Sequence, residues 1–501
     1  MNRKSSLGGD VVRLTSSKII VSFITLLIGM LLSRFRTLEE YGTYSQMTLV
    51  INLATTIFML GLPNSLNYFL AKADTNLERR DFLSVYYTLS TILSLFVGAI
   101  LVTITPLLIT YFKNPLLSAF WYYLAFFPLT KIVGAGIENI LVVYRKANQI
   151  VLFRVANSLA ILGCILLAQV MGWGFRIYIQ LYLSVEFLFA IVVYLTAYRL
   201  AGGLKVKLDR ALIKKVLTFS VPIGLASMLG TLNIEIDKLM IGKMLDTEQL
   251  AIYTNASREM PVTLIATSIT AVLLPQVVRL LKRNQNRDAL ALWESAINLS
   301  FTVMCFCTCV LFFFAPEVMT VLYSEKYLPG VSIFRVYSLG LLCQFTYVGM
   351  ILNAAGKTKL IFYSSLASLC LNALLNYIFF MLWGWTGPAI ATLVSLVVIM
   401  FFQLAFSAKI LEVRLSELFP WVSMMHILMR QSLLGVSMYL AKAFLPIDRY
   451  ICEILAITPR LAAVYEAVLI GIVWIVFFAL LELKSIKKSW QELNSAKLSE
   501  N

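Results

Sequence analysis

The sequence predicts an all-α polytopic membrane protein, and three observations carry that prediction. Mean hydropathy is +0.83. Apolar residues make up 60% of the chain and charged residues only 14%, where a soluble globular chain carries about 25% charged residues. Apolar runs of about twenty residues, the length that crosses a bilayer, recur along the chain between short polar breaks.

These runs place helices near 15–34, 43–71, 82–111, 116–143, 150–171, 176–198, 214–243, 249–280, 291–314, 331–354, 360–382, 386–408, 420–443 and 461–482, about fourteen in all. The stretch MNRKSSLGGD is polar and basic, and no cleavage site follows the first apolar run. That run therefore reads as a transmembrane helix and not as a removed signal. Of the seven cysteines, Cys164, Cys305, Cys307, Cys309, Cys343 and Cys370 lie in apolar segments and Cys452 lies in a late loop. No CxxC spacing exists, so neither a disulfide framework nor a zinc site is expected.

The chain is also duplicated. MLLSRFRTLEEYGTYS from Met30 aligns with LMIGKMLDTEQLAIYT from Leu239 without a gap, setting Arg34 on Lys243, Glu39 on Glu248 and Tyr44 on Tyr253. At nearly the same offset MGWG at Met171 recurs as WGWT at Trp383, and Arg145-Lys146 falls on Gly356-Lys357. The repeats predict three parts: residues 1–208 and 209–415, each a six-helix lobe, and residues 416–501, two further helices and a tail. An even number of helices per unit makes the two lobes parallel, related by an axis along the membrane normal.

The excess of 42 basic over 26 acidic residues, net +16, follows topology and does not call for nucleic acid. Basic residues concentrate in alternate loops: Arg3, Lys4 and Arg13; Lys72, Arg79 and Arg80; Arg145 and Lys146; Arg199, Lys205, Lys207, Arg210, Lys214 and Lys215; Lys282, Arg283 and Arg287; Lys357 and Lys359; Lys409 and Arg414; Lys484, Lys487 and Lys488. The intervening loops hold far fewer. The rich set is cytoplasmic by the positive-inside rule, which puts both termini inside and agrees with an even helix count.

No loop is long enough to house a soluble catalytic domain. There is no Walker A loop, GxGxxG, HExxH or Ser/His/Asp arrangement, and His426, the only histidine, lies mid-segment. The expectation is a transporter without a cofactor and not an enzyme. A scaffold has no need of Lys131, Glu138, Glu186, Glu235, Asp237 and Arg258 inside apolar segments, where ionisable groups are costly and mark function.

SRFRTLEEYGTYSQ followed by LGLPNSLNYF, then FSVPIGLASMLGTLNIEIDKLMIG with AIYTNASREMP and LLPQVVR, resembles the polysaccharide flippase branch of the multidrug/oligosaccharidyl-lipid/polysaccharide exporter superfamily. The resemblance covers nearly the whole chain. It implies a flippase that moves a polyprenyl-diphosphate-linked oligosaccharide from the cytoplasmic to the outer leaflet of the bacterial cytoplasmic membrane by alternating access, for cell-surface polysaccharide. Implied partners are the lipid-linked oligosaccharide, the bilayer, and a polysaccharide polymerase with other assembly proteins. The alternatives within the superfamily are a drug or organic cation antiporter and a lipid II flippase. Segment 15–34 lacks the carboxylate that proton-coupled bacterial drug exporters resemble one another in carrying, which counts against that mechanism.

An anionic diphosphate bearing sugars needs a wet cavity with cations and hydroxyl-binding groups. The candidates are Lys131, Arg258 and Arg34 for the charge, and Asn64 and Asn67 beside Pro63 for the sugars. All but Arg34 have a plainer role as well: Glu138 on the same helix face for Lys131, Glu235 or Glu259 for Arg258, a broken helix end for the two asparagines. For a coupling ion, sodium or a proton, Asn372 and Asn376 lie one turn apart and share a helix face, with Thr392 in the next segment and Asp237 in the seventh. This set is similar to the sodium site of lipid II flippases, with Asn376 where those proteins carry an acid. The site is correspondingly less charged, and interhelical amide hydrogen bonding is its plainer explanation. No other metal is expected.

Overall fold

A computed structural model describes residues 7–445, 447–455 and 458–498, and among them there is no strand. Helices lie along every expected segment, although those over 43–71, 249–280 and 331–354 are broken. The chain forms two compact units, Met1–Thr254 and Asn255–Asn501.

The first unit opens with α1 (Leu7–Phe35) and α2 (Leu38–Phe58). The start of α2 follows from the TLEE motif. Thr37 caps the Glu40 amide, and the Glu40 carboxylate accepts from the Thr37 amide, a capping box that satisfies two otherwise orphaned donors. After Phe58 the chain breaks. Leu60 and Gly61 adopt φ of 51° and 67°, and the helix resumes as α3 (Leu62–Ser65) and a π turn (Leu66–Leu70), bent by 44°.

The break is enforced by a close approach. A Cβ on Gly61 would lie 2.5 Å from the Ser220 carbonyl oxygen and 2.6 Å from the Gly224 nitrogen. Those residues belong to α10 (Arg210–Met244), whose N-terminal half is thereby seated on the bend. Tyr68 stacks on Phe219 at the same place, with centroids 4.8 Å apart. Between these elements run α4 (Asn76–Thr103), α5 (Thr105–Phe112), α6 (Trp121–Gly134), α7 (Ile137–Val143), α8 (Ala147–Val170) and α9 (Phe175–Ala201). α4 packs along α6, α8 along α1, and α9 on α6 and α8. α11 (Thr247–Ala256) carries the boundary between the units.

The second unit contains α12 (Thr263–Lys282), α13 (Asn286–Phe313), α14 (Ala315–Tyr323), α15 (Val331–Gly340) and α16 (Met350–Ala354). It continues with α17 (Thr358–Trp383), α18 (Gly387–Leu411), α19 (Leu415–Leu418), α20 (Trp421–Phe444), α21 (Ile447–Leu455) and α22 (Pro459–Leu498). α13 is its axis: α12, α15, α20 and α22 all pack against it, around a core that includes Trp293, Phe301, Phe345, Phe419 and Trp474. α17 and α18 form a hairpin across the short turn Gly384–Thr386. The two helices beyond the duplication, α20 and α22, are joined by Glu482, fully buried, which accepts from Arg430 and from Gln431 Nε2 at 3.2 Å.

The duplication is written in the backbone. Asp246 and Gln249 repeat the Thr37 and Glu40 capping exchange, with the Gln249 amide 2.7 Å from Asp246 Oδ1. Arg145 and Gly356 both adopt left-handed φ, 55° and 70°. Both are followed by a lysine whose amide bonds a carbonyl of the preceding turn at 2.8 Å, Lys146 to Leu141 and Lys357 to Leu352. Gly172 pairs in the same way with Gly384, Lys113 with Ser324, and Gly202 with Glu412.

Ten stretches among the described residues are long and apolar enough to cross a membrane, or eleven if α2 and its bent continuation count as one span. One of the ten, Thr358–Leu411, holds the α17–α18 hairpin. Segment 331–354 is broken between α15 and α16, and α20 carries His426, Arg430 and Lys442, so neither qualifies alone. Large apolar side chains are exposed along these helices, among them Leu107, Leu152, Leu374, Leu433 and Leu480. Such a surface suits lipid and not water. The chain is a multi-pass membrane protein.

Candidate functional site

In the first unit the ionisable groups gather where α6, α7, α8 and α9 meet. Lys131 lies in the last turn of α6, exposed, with its ammonium 5.3 Å from the Phe127 ring centroid. α6 ends at Gly134, and Glu138 falls in the first turn of α7. The expected Lys131–Glu138 network on one continuous helix face therefore does not form. Glu138 is instead held by both ends of the Arg154 guanidinium from α8. Arg154 also donates to Ser17 Oγ at 3.2 Å and to the Leu14 carbonyl at 3.4 Å, tying α8 to α1. Glu186 of α9 lies within electrostatic reach of Lys131 and beside Asn157 of α8.

Sequence reasoning passed over Arg154 and Asn157, although an arginine inside an apolar run is a signal in its own right. It likewise did not single out Arg36. Arg36 is buried, donates to the Trp173 carbonyl at 3.0 Å and lies 5.7 Å from the Tyr178 ring centroid.

Arg34 is exposed at the C-terminal end of α1. Asn64 and Asn67 are exposed on α3 and on the π turn, and Asn139 Nδ2 donates to the Pro63 carbonyl between them at 2.8 Å. The broken helix end expected there is present. Asp237 is 1% exposed on α10. Its Oδ2 accepts from the Tyr253 hydroxyl at 3.0 Å and its Oδ1 from the Lys238 amide at 2.7 Å, beside a Lys238–Glu235 ion pair of 2.7 Å.

In the second unit the continuous helix expected over 249–280 is interrupted. α11 stops at Ala256 and α12 starts at Thr263, so Arg258, Glu259 and Pro261 occupy an unwound segment. Proline has no amide to continue the ladder and displaces the preceding residue from the helical region. Arg258 is half-buried and Glu259 exposed. Irregular backbone at membrane depth is tolerated where protein or a wet cavity surrounds it.

Asn372 and Asn376 share the buried face of α17 with Ser364 and Ser368, all less than 5% exposed. Across the hairpin Gln403 Nε2 donates to Ser364 Oγ at 3.0 Å, and Thr392 Oγ1 lies 3.5 Å from Asn372 Oδ1, the limit of a hydrogen bond. Both side-chain polar atoms of Asn376 and the Ser368 hydroxyl have no hydrogen-bond partner among the described residues. The structure thus brings Asn372 and Thr392 together, with Asn376 on the same face. Asp237 belongs to the other unit and is described there.

A family profile described as "Polysaccharide biosynthesis protein" matches residues 31–332, more than half of the chain. An uncharacterised membrane protein of Methanocaldococcus jannaschii is 27% identical over 184 residues, 36% of this chain, and the chain spans only 42% of that relative's length. Among solved structures, the lipid II flippase MurJ in an inward closed conformation is similar at TM-score 0.68 and 16% identity, over 95% of this chain and 100% of that one. An inward-facing multidrug resistance MATE family transporter is similar at TM-score 0.64 and 15% identity, over 80% of this chain and 98% of that one. A transporter from Pyrococcus furiosus in the same superfamily is similar at TM-score 0.57 and 16% identity, over 80% and 96%. At these identities the solved structures establish the fold, and these neighbours are flippases and transporters, not enzymes. With the profile matched over residues 31–332, the chain belongs to the polysaccharide biosynthesis protein family, on the fold of the flippases and exporters of this superfamily.

Proposed function

We propose that this protein is a flippase for a polyprenyl-diphosphate-linked oligosaccharide, carrying the head group from the cytoplasmic to the outer leaflet of a bacterial cytoplasmic membrane by alternating access. The observation that carries the reading is Lys131, an exposed ammonium on a membrane-spanning segment of a polysaccharide biosynthesis family member. A cation held in such a segment is costly unless it meets an anion, and a diphosphate supplies one. Arg258, in its unwound segment, and Arg34 are the further cations for the head group, with Asn64 and Asn67 for its sugar hydroxyls.

The coupling ion, sodium or a proton, is assigned to Asp237 in one unit and to Asn372, Asn376 and Thr392 in the other. Both termini are cytoplasmic in this reading, and the polymerase and other assembly proteins take the product on the outer side. The share covered by the lipid II flippase, 95% against 80% for the drug transporter, supports a flippase over a drug antiporter.

The test is reconstitution into liposomes with a fluorescent polyprenyl-diphosphate oligosaccharide, read by its accessibility to an external probe. Protein-dependent exposure is expected, and exposure of lipid II alone would move the chain to that branch. Efflux of a cationic dye without lipid exposure would overturn the reading in favour of drug export.

A further inference from the structure

The connection between α9 and α10 is anchored. Residues 203–209 run without helix beside α4, and two of their amides are fastened to it. The Lys205 amide donates to Ser84 Oγ at 3.1 Å and the Lys207 amide to Thr88 Oγ1 at 3.2 Å. The Lys207 ammonium meets Asp81 at 2.7 Å. Asp81, Ser84 and Thr88 share one face of α4. Amide bonds from residues two apart hold the segment extended, which sets alternate side chains on opposite sides. Lys207 turns to α4, so Val206 and Leu208 turn away from it. They are 90% and 61% exposed.

Cations surround this apolar pair. Arg80 stands beside the segment, because a Cβ on Gly203 would lie 3.9 Å from its guanidinium. Lys205, Arg210, Lys214 and Lys215 are exposed. The neighbouring acids are engaged elsewhere: Asp81 with Lys207, Asp209 with the Leu212 amide at 3.0 Å as the cap of α10, and Glu78 with the Asp74 amide at 2.9 Å. The positive-inside rule accounts for cations at this end of the spans. It does not account for two bare apolar side chains set between them.

We propose that residues 203–209 form a site for an anionic phospholipid of the bilayer. Val206 and Leu208 enter the edge of the acyl region, and Arg80, Lys205 and Arg210 hold the headgroup phosphate. The height of the segment supports this. The first turns of α4, residues 76–81, are polar, and Ser84 and Thr88 lie one and two turns beyond them, where the helix enters the bilayer. The segment fastened there reaches the boundary between headgroups and acyl chains. Leu195 and Tyr198, in the last turns of α9, are 51% and 55% exposed and carry the lipid-facing surface up to it; tyrosine is favoured at that height. A phospholipid matches both halves of the site, an anion for the cations and an acyl chain for the apolar pair. A soluble polyanion matches only the first and a neutral lipid only the second. Seated there, the lipid clamps the α9–α10 connection against α4. This site does not depend on the flippase reading.

The experiment puts a reporter at Val206. Full-length Val206→Trp is reconstituted into vesicles of phosphatidylcholine and phosphatidylglycerol, with the acyl chains of one or the other lipid brominated. The emission gained over wild type should be quenched by both brominated lipids, with phosphatidylglycerol favoured. Adding Lys205→Ser keeps the backbone amide on Ser84 and should cut that preference about fivefold, the worth of about 1 kcal/mol for one cation near an anionic surface. Arg80→Ser with Lys205→Ser should cut it by about the same factor again. The preference should also fade in 1 M salt, where the Debye length is about 3 Å.

Emission quenched by aqueous iodide and by neither lipid places Val206 in water and overturns the proposal. Emission reached by none of the three quenchers means that protein covers the segment, and overturns it too. Equal quenching by the two brominated lipids before any cation is removed overturns the choice of an anionic lipid. So does a preference that survives the loss of Arg80 and Lys205. If the variant lacking both cations fails to fold, a preference unchanged in 1 M salt overturns the proposal equally. The measurement involves no transport, so its failure and that of the flippase reading are separate results.

Discussion

Asn376 is the residue that stability explains least. It is 1% exposed and neither amide atom has a hydrogen-bond partner among the described residues. Burying an unsatisfied polar group costs about 1–3 kcal/mol. Asn376→Leu is therefore expected to leave the unfolding midpoint in detergent unchanged or higher while impairing ion-dependent flipping in liposomes. Full transport by this variant would remove Asn376 from the mechanism. Asp237 is the opposite case, because its carboxylate is satisfied by Tyr253 and by the Lys238 amide. Asp237→Ala removes the acceptor of the buried Tyr253 hydroxyl and should lose about 1–3 kcal/mol as well as altering the cation dependence of transport; unchanged dependence would sink its coupling role. Lys131→Ala should weaken diphosphate binding by about 10- to 100-fold, the scale of one charge-assisted hydrogen bond, measured by equilibrium binding. Residues such as Lys131 and Asp237 were legible because an ionisable group stands out in an apolar run. Their partners were not: Glu138 lies on the same stretch as Lys131 yet turns to Arg154.

At the scale of elements, the duplication was legible and its breaks only partly so. TLEE and DTEQ announce the same capping box, and Arg145 and Gly356 the same left-handed turn. The bend after Phe58 depends instead on a contact distant in sequence, Gly61 against Gly224. A methyl at Gly61 meets a left-handed φ, worth about 1–2 kcal/mol, and collides with the Ser220 carbonyl. Gly61→Ala is expected to lower the unfolding midpoint clearly. Gly230→Ala, where nothing lies within 4 Å of the added carbon, should be neutral or stabilising by up to about 1 kcal/mol. Equal effects of the two would remove the close approach as the cause of the bend. The unwinding at Arg258 was half announced, since Pro261 stands in plain view within the segment expected to be one helix over 249–280.

Across the whole molecule, the repeat read in the sequence predicts a division after residue 208, whereas packing divides the chain within α11. The two divisions answer to different physics. Duplication copies a stretch of chain, and compactness follows the glycine-mediated seat of α10 on the α2–α3 bend. The C-terminal pair α20 and α22 is fastened to α13 by apolar packing around Trp474 and to itself through Glu482. Glu482→Ala leaves Gln431 buried without its acceptor and should cost about 1–3 kcal/mol, read as a fall in the unfolding midpoint, with Glu482→Gln milder. The charge pattern of the loops predicts that a reporter active only in the cytoplasm works when fused after residue 501 and fails when inserted in the loop over 444–460. The reverse result would invert the topology.

The sequence by itself determined the membrane class, the helical segments, the duplication and the family resemblance. Each is a property of composition or of order along the chain: how much apolar length there is, where polar breaks recur, which motif follows which. Tertiary structure alone decided which ionisable group faces which. Charges on α6, α7 and α8 can pair in several ways, and helix rotation and a break of a few residues select Arg154, not Lys131, for Glu138. That selection depends on side-chain direction in three dimensions, to which spacing along one helix is blind.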